Sequence, residues 1–192
     1  MNNQSSTQEK TELEKMRSGQ MYYFSDPAIL PMFEHAKRIC AKLRTRSVYD
    51  EDYRELIEEL IPGLPQSTEI TPPFHCDMGS EIRIGENTFI NYNCVMLDAG
   101  GITIGKNCLV GPNCSFYTPQ HPKDYIERRE PKETPHPIHI GDDCWLGGNV
   151  TVLPGVTIGD RCIIAAGSVV LHDIPDDCMA AGSPAVVKKH LK

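Results

Sequence analysis

The sequence has no apolar run long enough to cross a bilayer, which excludes a membrane-spanning helix. It has no excess of basic residues: 19 Lys and Arg face 26 Asp and Glu, a formal charge of −7. Such a balance gives no overall pull toward nucleic acid or an anionic membrane surface. No CxxC pair occurs, so the spacing of a zinc knuckle is missing although the chain has eight cysteines. A glycine-rich phosphate loop and a GxSxG nucleophile motif are both lacking. Met1 to Lys10 is polar and lacks the basic-then-apolar layout of a secretory signal, so a cytoplasmic protein with reduced thiols is expected.

What is present falls into two parts. A chain of 192 residues is long enough for one domain with a substantial core. Residues 1–9 are polar and expected to be disordered, and residues 10–70 read as a small helical segment. Leu13 and Met16 give a weak helical spacing that stops at Ser18-Gly19. Asp26-Pro27 reads as a helix start, since Asp caps free amides and Pro suits a first turn. Ile29, Phe33, Ala36, Cys40 and Leu43 then recur at helical spacing. A second helix is expected from about Asp50, with Tyr53, Leu56, Ile57 and Leu60 on one face, ending before Pro62-Gly63. Pro62, Pro65, Pro72 and Pro73 read as a linker.

From residue 71 onward the chain counts in sixes. One column is Ile140, Leu146, Val152, Ile158, Ile164 and Val170; the other, two residues earlier, is Ile138, Cys144, Val150, Val156, Cys162 and Ser168. The same two columns appear earlier as Ile82/Ile84, Thr88/Ile90, Cys94/Met96, Ile102/Ile104, Cys108/Val110 and Cys114/Phe116. A helix cannot produce this, because six residues at about 100° each leave a column roughly 240° out of phase. Short extended segments with a turn after each do produce it, stacking coil on coil as a parallel β-helix. Cys94, Cys108, Cys114, Cys144 and Cys162 all fall in one column, which makes them small buried hydrophobes rather than a disulfide framework. A two-residue register break is expected at Asp98–Gly101. A larger break at about 118–137, rich in charge and proline, must loop out and return, and long excursions from rigid scaffolds are often functional.

These residues resemble the acyl-CoA-dependent acetyltransferases built on a left-handed hexapeptide β-helix, and more closely the maltose and galactoside O-acetyltransferases. The resemblance lies in Lys15-Met-Arg-Ser-Gly-Gln-Met-Tyr22 with Asp26-Pro27, and in Pro73-Phe-His-Cys-Asp-Met-Gly79. It continues through Asn91-Tyr-Asn-Cys-Val-Met-Leu-Asp98, Gln120-His121-Pro122 and Ile140-Gly-Asp-Asp-Cys-Trp-Leu-Gly-Gly148. It covers the chain from about residue 13 to the end. It implies a mainly β protein: a left-handed parallel β-helix behind a small helical N-terminal segment, with a C-terminal tail. It further implies a homotrimer with an active site in each cleft between neighbouring prisms, and acetyl transfer from acetyl-CoA directly to a sugar hydroxyl.

The same resemblance assigns roles. His121, opening the excursion, is the general base, a task suited to neutral imidazole. Glu133 is the acidic residue near the base and acceptor, and the Gly148 amide stabilises the oxyanion. Asp26, Asp77, Asn91 and Asp98 shape the acceptor site. Trp145 lines the pantetheine channel, while Ala165, Ala166, Lys188 and Lys189 hold the nucleotide end of CoA. Val186 stands where the family commonly has Arg, which weakens the expected grip on the CoA phosphates. His136 and His139 form an HxxH, but with His121 they do not reproduce the three-His zinc spacing of other relatives, so no metal is expected. Two other readings remain: acetylation of another alcohol, such as an antibiotic, serine or oligosaccharide, and a non-catalytic β-helix used as an assembly subunit.

Overall fold

The computed structural model describes residues 9–192, so the expected disorder of residues 1–8 lies outside the described residues. Among the described residues, three short helices precede a parallel β-helix: α1 (Glu12–Arg17), α2 (Leu30–Leu43) and α3 (Tyr53–Leu60). Thr11 caps α1 through a reciprocal bond pair with Glu14, which satisfies two otherwise free amides. Asp26 does not begin the second helix. Its side chain accepts from the Ala28 amide at 2.9 Å and its carbonyl from Ile29 at 2.9 Å, closing a turn that feeds α2. The third helix likewise begins at Tyr53 rather than Asp50, because Asp50 turns back to accept from the Ser47 amide at 2.8 Å.

The β-helix is a three-faced prism. The first face stacks Ile82–Ile84, Ile102–Ile104, Ile138–Ile140 and Thr157–Ile158. The second stacks Glu69–Ile70, Phe89–Ile90, Leu109–Val110, Trp145–Leu146, Ile163–Ile164 and Cys178–Gly182, with Ala185–His190 folded back antiparallel on the last. The third stacks Phe74–Cys76, Cys94–Leu97, Ser115–Tyr117, Thr151–Val152 and Val169–Val170. Both columns read from the sequence point inward, and every member of them is buried. Turn positions adopt left-handed φ near 60°, and Asn fills them at 87, 93, 107, 113 and 149.

The thiols serve the coils as weak donors. Cys108, Cys144 and Cys162 each point Sγ at a backbone oxygen, of Gly141 at 3.1 Å, Gly159 at 3.0 Å and Pro175 at 3.0 Å. All eight cysteines are free and buried.

Two boundaries differ from the sequence expectation. The β-helix begins before the prolines, at Glu69–Ile70, with Thr68 and Ile70 filling the two columns. Thr68 donates to the Gly85 carbonyl at 2.6 Å, just as Thr88 one coil later donates to Gly105 at 2.8 Å, so Pro72 and Pro73 sit at a coil corner, not in a linker. The register break also occurs twice, at 77–81 as well as at Asp98–Gly101, one directly above the other. The helices are not a separate body: Ala36, Ile39, Leu43, Leu56, Ile57 and Leu60 belong to the same buried cluster as the β-helix interior.

The excursion leaves at the corner where those two breaks stack. Thr118 accepts the Gly100 amide on its hydroxyl at 2.8 Å and the His136 amide on its carbonyl at 2.9 Å, pinning both ends of the loop. Within it, Lys132–Pro135 pairs with Pro119–Gln120 on one side and with Tyr22–Tyr23 on the other, a small antiparallel sheet outside the prism.

Candidate active site

His121 stands exposed at the base of the excursion, beside the last residue of the Pro119–Gln120 strand. Its Nδ1 lies 3.3 Å from the Lys132 carbonyl. A carbonyl only accepts, so this contact puts the ring proton on Nδ1 and leaves the Nε2 lone pair free for a base. Phe24 meets the imidazole edge-on, with centroids 6.2 Å apart and planes at 73°. His121 opens onto a cavity of about 380 Å³ lined also by Phe24, Leu30, Phe33, Lys37, Asp77 and Glu133.

This cavity gathers carboxyl groups in a poorly solvated corner. Burial pushes Asp77 up to about 7, helped by the charges of Asp98 and Glu133 and opposed by Lys37. Glu133 is buried and also raised by burial, against the pull of the Tyr22 hydroxyl and of His121. Asp98 does not reach the cavity. It is wholly buried and accepts from the amides of Asp77 at 3.1 Å, Met78 at 2.8 Å and Glu81 at 3.3 Å. Burial lifts it to about 6, with those amides holding it back. Its place is one coil above Asp77, a bracket for the turn of the coil below. Asp26 is also absent from this cavity; it borders a separate depression with Glu12, Lys15 and Ala28.

A second cavity of about 530 Å³ opens on the second face, lined by Asn91, Gly111, Pro112, Trp145, Gly147, Gly148, Ala165, Ala166 and Met179 among others. Trp145 points outward and is 54% exposed, between Leu109 and Ile163 on the adjoining coils. Glycines let the backbones of neighbouring coils approach closely along this groove. A Cβ on Gly147 would lie 2.6 Å from the Ala166 amide nitrogen, and one on Gly111 2.6 Å from that of Gly148. Gly147 donates to Ile164 O and Asn149 to Pro112 O, while the Gly148 amide between them meets no acceptor among the described residues. That free donor, flanked by Trp145 and Met179, fits a thioester oxygen on an apolar arm.

Of the residues expected from the sequence, His121, Glu133 and Asp77 therefore share one cavity, and Asn91, Trp145, Gly148, Ala165 and Ala166 share the other. Lys188 and Lys189 lie on the returning strand, exposed; Lys189 sits opposite Met179, one residue away from the groove wall. Val186 is likewise exposed, with no cation in its place. His136 and His139 do not join His121, and no group of three or more possible metal ligands occurs among the described residues. Sequence reasoning missed Tyr22, Phe24, Lys37 and the Lys132 carbonyl. Only the alternation of Tyr22 and Phe24 around Tyr23 signalled a strand with one face turned inward.

Stacked hexads with a histidine-bearing excursion and a glycine-floored groove define a hexapeptide-repeat transferase. Residues 137–172 match the family described as bacterial transferase hexapeptide (six repeats), and residues 81–115 match the hexapeptide repeat of succinyl-transferase. A hexapeptide-repeat acetyltransferase of Vibrio cholerae, solved with acetyl-CoA, is 42% identical, covering 95% of this chain and 100% of its own, with a TM-score of 0.88. A maltose O-acetyltransferase of Clostridium difficile is 36% identical over 95% of this chain and 98% of its own, with a TM-score of 0.91. A galactoside acetyltransferase in complex with coenzyme A is 30% identical over 96% and 92%, again with a TM-score of 0.91. The chain belongs to the hexapeptide-repeat acetyltransferase family, and it is an acetyltransferase.

Proposed function

We propose that the protein transfers acetyl from acetyl-CoA to a hydroxyl of a small sugar, and does so as a homotrimer. The observation that carries this reading is the division of the site. His121 and Gly148 line cavities with no residue in common, so within one chain the base and the free Gly148 amide stand apart. Two copies packed side by side put the base-bearing cavity of one against the glycine-floored groove of the next. The maltose and galactoside enzymes among the similar structures support a sugar as acceptor. The acetyl-CoA and coenzyme A complexes among the similar structures support acetyl-CoA as the donor.

The chemistry then follows from the side chains. Asp77 and Glu133 border the acceptor cavity, and Phe24 and Phe33 offer apolar surface to the apolar side of a pyranose. Nε2 of His121 takes the hydroxyl proton as the oxygen attacks the thioester carbon. The partner copy's Gly148 amide stabilises the charge that builds on the thioester oxygen. The carbon–sulfur bond breaks, the same proton passes from Nε2 to the departing sulfur, and His121 is neutral again. Trp145 and the small residues of the groove hold the pantetheine arm, and Asn91 reaches the junction from the groove side.

The test is acetyl-CoA turnover against a panel of small sugars, read by mass spectrometry of the product, with His121→Ala alongside after its oligomeric state is checked. Acetylated sugar from the wild type, falling about 100-fold or more in His121→Ala, is the expected result. Acetyl-CoA binding with no sugar acetylated would replace the sugar with another alcohol; no binding at all would leave a scaffold.

A further inference from the structure

The group that faces Glu133 comes from the far end of the chain. The Tyr22 hydroxyl donates to Glu133 Oε1 at 2.5 Å, across a sequence separation of 111 residues. Both residues are buried, and they are directly paired in the small outer sheet. Tyr22 packs with Met16, Ile29, Met78 and Ala99, so the ring is fixed on all sides. No other donor reaches the Glu133 carboxylate among the described residues. The Tyr22–Tyr23 strand alternates as strands do: Tyr22 and then Phe24 turn inward, onto Glu133 and His121, while the Tyr23 ring lies 6.0 Å from the Lys132 ammonium on the outside.

We infer that Tyr22 is a positioning residue for the His121 base, acting through Glu133: its hydroxyl keeps the buried carboxylate ionised and aimed at the imidazole's cavity. This rests on the proposed role of His121. The physical reason is that a carboxylate drawn out of water tends to take up a proton, and a donated hydrogen bond favours the charged form. An ionised Glu133 stabilises the imidazolium formed when His121 accepts the hydroxyl proton; a protonated one does not. The other charges bordering the cavity are Asp77 and Lys37, and the charges of Asp98 and Glu133 both bear on Asp77. The Lys132 ammonium is committed elsewhere, 2.8 Å from Glu127.

Tyr22→Phe removes the hydroxyl and keeps the packed ring. The expected result is a kcat at least tenfold lower, with KM for acetyl-CoA within twofold of wild type. Glu133→Gln should show the same loss, and Tyr22→Phe added to it should cost nothing further. A second readout needs no acceptor. Carbethoxylation of His121 by diethyl pyrocarbonate, followed against pH by peptide mass spectrometry, should have its midpoint at lower pH in Tyr22→Phe. An unchanged midpoint overturns the inference whatever kcat does, since a purely packing role could slow the enzyme but not move that curve. If the wild type acetylates no sugar, the functional reading fails, while the midpoint still decides the role of Tyr22.

Discussion

Asp98 lies one coil above Asp77 and accepts its amide hydrogen at 3.1 Å, so two neighbouring carboxyl groups hold opposite stations. One faces the cavity; the other is spent on backbone. Their burial raises both, to about 7 for Asp77 and about 6 for Asp98. Substitution separates them.

A carboxyl whose folded pKa is raised contributes stability below its unfolded pKa, and that contribution is lost as pH climbs through the folded value. For Asp77 the window runs from its ordinary 3.8 to about 7. Asp77→Asn is expected to melt close to wild type at pH 4 and above it at pH 8, by about 2–4 °C. Thermal melts followed by circular dichroism at the two pH values check this; equal shifts at both would refute it. Asp98→Asn should go the other way. An amide oxygen cannot serve three backbone donors on two sides, so a loss of about 1–3 kcal/mol is expected at pH 7.

Gly147 and Gly148 are adjacent but differ in what surrounds them. A Cβ at Gly147 meets the Ala166 backbone nitrogen at 2.6 Å, whereas at Gly148 the nearest atom is the Pro112 oxygen at 3.3 Å. Gly147→Ala should therefore cost about 1–3 kcal/mol in urea unfolding. Gly148→Ala should cost well under half of that, and comparable losses in the two variants would contradict the geometry.

Trp145 is the sole tryptophan, which makes the groove optically addressable. Adding acetyl-CoA should shift its emission to shorter wavelength as the exposed ring is covered. Trp145→Ala should raise KM for acetyl-CoA on the order of tenfold with little change in melting temperature, because the ring supports nothing beneath it.

The eight thiols should be invisible to an aromatic disulfide reagent in the native protein and fully counted in denaturant, since each is buried. Rapid native reaction of several would mean the coils open far more readily than their packing implies.

Much of the β-helix was legible because burial in a coil follows from strict alternation. Ile138/Ile140 or Cys162/Ile164 declare themselves without reference to anything distant. Asp98 was not, since its three partners lie 17 to 21 residues earlier, on the coil below, where no local signal marks them. An Asp-Pro pair suits both a helix start and a free-standing turn, and here it closes a turn, the helix itself beginning only at Leu30 with Ile29 as its N-cap. The extra coil at Thr68 and Ile70 was hidden by the prolines that follow it. For the site, family resemblance supplied His121, Glu133 and Gly148. The Tyr22 contact needs two segments 111 residues apart to meet, which periodicity cannot reveal.

The corner that carries the two short breaks and the excursion has a further consequence. Residues inserted there do not disturb the alternation of the next strand, as the intact columns above 137 demonstrate. The groove, by contrast, is made of flat faces and glycines whose spacing tolerates no insertion. One half of the site is thus free to vary in length, while the other is fixed by the stacking itself. Diversification on this scaffold should accordingly be lopsided: the corner can lengthen or shorten its excursion, while the glycine-floored face keeps its spacing.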